Sequence, residues 1–223
     1  MGQIIGELLP LALGIAISPV PIIAAILMLL SPRAKKTSIA FLGGWLLGIV
    51  VAVTIFALLS ALIPPTETGA SKPVAGVIKI VLGLGLLFLS FRQWRSRPAP
   101  GADAKLPKWM SAIDTMTAGR GLLLGFVLAA VNPKNLAMAI AAGLAIGATG
   151  ASVGTQVLAI VIFTILAGST VAIPVIGYLI ASKQLRTPLE NLRVWLVRNN
   201  ATVMSVLLLV IGIVIIGKGI ANF

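Results

Sequence analysis

The segment LAAVNPKNLAMA, residues 128–139, sets two asparagines, a proline and a lysine inside an apolar run from Gly121 to Gly147. A lysine deep in hydrocarbon costs at least about 2.5 kcal/mol on insertion scales, so it needs a partner or a function. A helix entering at Gly121 and rising about 1.5 Å per residue reaches Lys134 after roughly 20 Å, too deep for easy snorkelling to the headgroups. Of the five acidic residues, Glu7, Glu67, Asp103, Asp114 and Glu190, Glu7 alone lies in an apolar run. The chemistry this predicts is recognition of an anion. The competing reading is a lock, with Lys134 paired to Glu7 or bonded to carbonyls freed by nearby prolines.

A second break, Ser18-Pro19-Val20-Pro21, interrupts an earlier apolar run. Proline withdraws the donor that the carbonyl four residues earlier needs, and it disfavours helical dihedrals just before it. In lipid the freed groups need protein partners or a wet cavity, so paired mid-membrane breaks are expected to face each other inside the protein. The half-helix that begins after each break points N–H groups and a positive dipole end at that space. The candidate substrate contacts are therefore Lys134, Asn132, Asn135, Pro133, Ser18, Pro19 and Pro21. Glu7 and Lys79 are candidates for coupling or for an ion pair.

These residues need elements to hold them. The composition, 59% hydrophobic and 10% charged, is too apolar for a soluble domain of this size and predicts an all-α integral membrane protein. Histidine and cysteine are both absent. That removes disulfides, thiolate or imidazole metal sites and the usual neutral-pH proton shuttle, so no metal or cofactor is expected and an enzyme is the least supported class. The net charge of +12 does not point to nucleic acid, because the basic residues sit in short clusters between apolar runs.

A bilayer crossing takes about 20 apolar residues, and runs of that length predict six spans near 4–30, 38–63, 74–91, 119–147, 153–180 and 201–221. Spans one and four carry the breaks. Alternate loops hold Arg33, Lys35 and Lys36; then Arg92, Arg95, Arg97, Lys105, Lys108 and Arg120; then Lys183, Arg186, Arg193 and Arg198. The opposite side holds Lys72 and Lys218, an asymmetry of thirteen to two. The positive-inside rule puts the basic loops in the cytoplasm and both termini outside.

Residues 1–223 read as one transmembrane domain made of a first three-helix repeat, 1–95, a linker, 96–104, and a second repeat, 105–223. An odd number of spans per half forces the halves into opposite orientations, the inverted arrangement of many transporters. Val81-Leu82-Gly83 and Val210-Ile211-Gly212 match in the third span of each half. Two cytoplasmic stretches predict short interfacial helices: KLPKWMSAIDTM, and TPLENLRVWLVRNN, where Thr187 and Glu190 form a capping box behind Pro188. Gly44 with Gly48, and Gly143 with Gly147, predict close helix packing.

The order of spans, the Ser-Pro-x-Pro break and above all LPKWMSAIDTMTAGRGLLLGFVLAAVNPKNL resemble the actinobacterial GAP family, the peptidoglycolipid- and sulfolipid-addressing proteins of the lysine-exporter superfamily. The resemblance covers essentially the whole chain. It implies a bacterial inner-membrane protein with six helices in two inverted repeats, moving large lipids or glycolipids toward the cell surface. The function expected from residues and resemblance together is a transporter or flippase for an anionic lipid or glycolipid. The alternatives are an amino-acid exporter and a non-transporting scaffold. The expected partners are the bilayer and the anionic lipid, with lipid-export machinery and a homo-oligomer left open.

Overall fold

In the computed structural model, residues 2–60, 73–97, 113 and 115–223 are described. The stretch KLPKWMSAIDTM lies mostly outside them, as does most of the 96–104 linker. The described residues form helices α1 (Gly2–Ala16), α2 (Pro19–Leu30), α3 (Ala34–Leu59), α4 (Pro73–Arg95), α5 (Ala118–Ala130), α6 (Pro133–Gly147) and α7 (Val153–Ile220). None of them is in a strand. Three helices, α3, α4 and α7, are long and apolar enough to cross a membrane, and the number rises to five if each of two bent pairs is one span. The chain is a multi-pass membrane protein by that measure.

Both bends fall where the prolines predict them. Ile4–Ala16 meets Pro19–Leu30 at 52°, and Ala118–Ala130 meets Pro133–Gly147 at 63°. Pro19 and Pro133 each stand at the first helical position after the bend, where a missing N–H costs nothing.

Helix α7 contains 68 residues, about 100 Å at 1.5 Å per residue, so it is far longer than one crossing. It turns at Ala181, whose φ of −135° and ψ of 51° leave the helical region. This is where the fifth predicted span ends. The expected helix start at Thr187 is not seen: the chain is helical from below Pro188 straight into the last apolar run. Glu190 does not cap backward. Its carboxylate takes both Nε and Nη2 of Arg193 one turn ahead, and Leu189 and Leu196 are buried. The capping box is replaced by an ion pair because the helix already runs through Thr187 and leaves no free N–H groups to cap.

Small residues set the packing. A Cβ on Gly44 would fall on the carbonyl oxygen of Leu122, and one on Gly125 on that of Phe41, so α3 and α5 touch backbone to backbone. Farther along α3, a Cβ on Gly143 would lie 2.6 Å from Phe56 Cβ and one on Gly147 2.6 Å from the Ala57 oxygen. Helix α3 thus runs along both halves of the second bent pair. Helix α4 packs against the last part of α7 in the same manner, with Gly76 opposite Gly219 and Gly83 opposite Gly212. One step farther, Ser90 Oγ donates to the Ser205 carbonyl at 2.7 Å. Positions advance along α4 as they retreat along α7, so the two helices are antiparallel. Without a hydrophobic drive between helices in lipid, such close approach is how they associate. Large apolar side chains such as Leu58, Phe88 and Ile173 point outward instead.

Candidate functional site

The site grows from the end of α1. Proline 19 has no N–H, so the last turn of α1 ends with carbonyls that its own helix does not satisfy. The Leu13 oxygen takes the Ile17 N–H at 2.9 Å. The Gly14 oxygen takes Lys134 Nζ from α6 at 2.5 Å, and the Ala16 oxygen takes Thr170 Oγ1 from α7, also at 2.5 Å. Three helices are pinned at this one turn. The ammonium also sits at the negative end of the α1 dipole, which favours a cation.

Lys134 is 2% exposed, and among the described residues no carboxylate lies within ion-pair range of it. Room for its side chain comes from Gly14, where a Cβ would lie 2.6 Å from Met138 Sδ. Asn132 is the N-cap of α6, its Oδ1 accepting the Lys134 N–H at 3.1 Å. Asn135, fully buried, donates from Nδ2 to the Leu128 oxygen at 2.9 Å, closing the last turn of α5 as Lys134 closes that of α1. Its Oδ1 has no partner. A buried amide oxygen left open costs about 1–3 kcal/mol, so this acceptor is available to a donor that enters the site.

The first break is arranged differently. Ser18 is buried at the N-cap of α2 without a side-chain cap bond, and Pro19 and Pro21 are buried in its first turn. Among the described residues no hydrogen bond links Ser18 to Asn132–Asn135. The two breaks meet as the end of α1 against the start of α6, rather than as two half-helix N-termini facing each other. The reason is that orphan carbonyls attract the ammonium more strongly than a second positive helix end does.

Glu7 and Lys79 lie elsewhere, at the end of the bundle where α1 begins and α7 finishes. There Lys218 Nζ donates to the Glu7 carbonyl at 2.9 Å, and Lys79 Nζ donates to Asn222 Oδ1 at 3.2 Å. Sequence reading counted Lys218 only toward topology. At the opposite end, the turn between α2 and α3 supplies Arg33, Lys35 and Lys36 to a surface pocket that the Thr117 N-cap of α5 completes.

A family model described as Sap, sulfolipid-1-addressing protein, matches residues 8–221, taking in both breaks and all the helices that hold them. The chain belongs to the sulfolipid-1-addressing protein family. That membership agrees with the resemblance carried by the Asn-Pro-Lys-Asn segment, and Glu7 and Asn222 fall just outside the matched span. The wider lysine-exporter superfamily is not itself part of the match. No curated protein and no solved structure matches the chain.

Proposed function

We propose that this protein moves an anionic lipid across the bacterial inner membrane, with Lys134 receiving the negatively charged headgroup while the acyl chains stay in the bilayer. The observation that carries the reading is a buried ammonium with no carboxylate partner among the described residues, held by the Gly14 carbonyl. A neutral carbonyl is a weaker partner for an ammonium than a sulfate or phosphate oxygen. An arriving headgroup can therefore displace it, and Asn135 Oδ1 offers an acceptor to the hydroxyls of a sugar. The sulfolipid in the family's description favours a sulfate ester over an amino acid as the anion. Release of Gly14 loosens α1 from α6, which couples headgroup arrival to movement at the break.

The transporter architecture in this reading is six crossings in two inverted halves, with α7 crossing on either side of Ala181. The antiparallel contact of α4 with α7 supports it. Gly83 and Gly212, the matched glycines of the two halves, pack on each other, and the flanking pairs Gly76–Gly219 and Ser90–Ser205 are spaced evenly on either side. A local two-fold axis generates that pattern. The cytoplasmic side holds Arg33, Lys35 and Lys36, where anionic headgroups gather before entry.

Purified protein in liposomes tests the activity: passage of a sulfated lipid's headgroup to the opposite leaflet without any partner protein supports it, and no passage removes it. One observation favours a second reading. The Lys134–Gly14 bond joins two helix ends as a lock would, and in a scaffold of lipid-export machinery that bond would be the whole role of Lys134.

A further inference from the structure

The cluster around Glu7 has features that a pair of snorkelling lysines lacks. Lys79 comes from α4 and Lys218 from α7, and both line one pocket together with Glu7 of α1. Alanines 141 and 145 of α6 make its wall small, so the pocket opens between the two lysines and an otherwise apolar seam. Two ammonium groups and one carboxylate leave a net charge of +1 there. Both lysines already hold neutral oxygens, the Glu7 carbonyl and the Asn222 amide. Each has further N–H donors beyond those bonds.

The pocket is also in line with Lys134. Glu7 precedes Gly14 by seven residues on α1, and Ala141 follows Lys134 by seven on α6, so each helix separates the two levels by about 10 Å. Helices α1 and α6 pack against each other along that interval. The seam therefore carries cations at two levels, a single enclosed one at the break and a pair at the end where the chain termini lie.

We propose that Lys79 and Lys218 form a second anion site at this end of the α1–α6 seam, taking the sulfate or phosphate ester that leaves Lys134, with Glu7 weakening the hold so that the anion departs. This rests on the anionic-lipid reading above. Two lysines outcompete one for the charge, which gives the movement a direction, and the neighbouring carboxylate opposes permanent capture. The chemistry recognised is a sulfate or phosphate monoester, presented on a lipid or free in solution.

The test uses full-length protein in nanodiscs of neutral phosphatidylcholine, its lysines labelled with ¹³C-methyl groups that keep their charge, and NMR resonances assigned from single lysine variants. Hexyl sulfate serves as the ester probe, with inorganic sulfate and inorganic phosphate as the free anions. The Lys79 and Lys218 resonances are expected to shift together and saturably with hexyl sulfate. A response to the inorganic anions as well marks a site for the charged group alone, whereas a response to hexyl sulfate only marks one that also reads the attached chain. Lys218→Gln should weaken the Lys79 response at least tenfold, Lys218→Arg should keep it, and Glu7→Gln should strengthen it. Resonances unmoved by all three probes, or equal responses from Lys218→Gln and Lys218→Arg, would overturn the proposal. Lys134→Gln should leave the response intact. A response here combined with no lipid movement would count against the Lys134 reading alone, and the reverse pattern against this site alone.

Discussion

Gly83 and Gly212 approach so closely that a Cβ added to Gly83 would lie 2.8 Å from the Gly212 oxygen, and one added to Gly212 would lie 3.1 Å from the Gly83 oxygen. Alanine at Gly83 gains about 1 kcal/mol of helix propensity but meets backbone that has no rotamer to move. Gly83→Ala should therefore lower the thermal unfolding midpoint in detergent. Gly85→Ala, two residues on and with nothing within 4 Å of the new Cβ, should leave it unchanged or raise it. Equal effects would mean that α4 and α7 do not meet at this pair.

The contact between α3 and α5 predicts a larger loss. Gly44→Ala drives a methyl group into the Leu122 carbonyl, and overpacking of this kind costs about 1–3 kcal/mol. Gly43→Ala next to it meets open space and should be neutral. Unfolding followed by circular dichroism of both variants separates helix propensity from helix contact.

The absence of cysteine makes topology directly readable, since one introduced cysteine is the sole thiol. A cysteine at Lys35 should react with a membrane-impermeant maleimide only in inverted vesicles, and one at Gly150 only in intact cells. The opposite labelling would reverse the orientation drawn from the basic loops.

The Glu190–Arg193 pair gives a pH dependence outside the spans. The Arg193 hydrogen bond holds the Glu190 carboxyl below the usual carboxylate range. Its stabilisation is therefore full above that range and is lost as pH falls through the depressed value. The pair is partly exposed, so Glu190→Gln should cost about 0.5 kcal/mol at neutral pH and nothing once the carboxyl is protonated. A pH titration of the unfolding midpoint for both proteins checks the sign.

Much of the fold was legible because its causes are carried by single residue types. Pro19 and Pro133 announce their bends by lacking an N–H, and Gly44, Gly48, Gly143 and Gly147 announce close contacts by lacking a side chain. The partners of Lys134 and Thr170 were not legible, because a main-chain carbonyl at Gly14 or Ala16 has no signature in sequence. The same holds for Lys218 on the Glu7 oxygen. Nothing at Ala181 signals a turn, while Pro174 and Pro188 suggest breaks that α7 absorbs. The charge of Lys134 marked the site; the carbonyl it holds was visible only once α1 and α6 were placed side by side.

The central claim is that the charge of Lys134, and not only its bond to Gly14, serves the headgroup. Lys134→Gln keeps an N–H donor for the Gly14 oxygen and removes the charge. In liposomes carrying a fluorescent sulfate-ester lipid, the variant should unfold at the temperature of the unsubstituted protein yet move the headgroup at least about tenfold more slowly, a barrier increase of roughly 1.4 kcal/mol. Movement at the unsubstituted rate would contradict the account and leave Lys134 as a lock between α1 and α6.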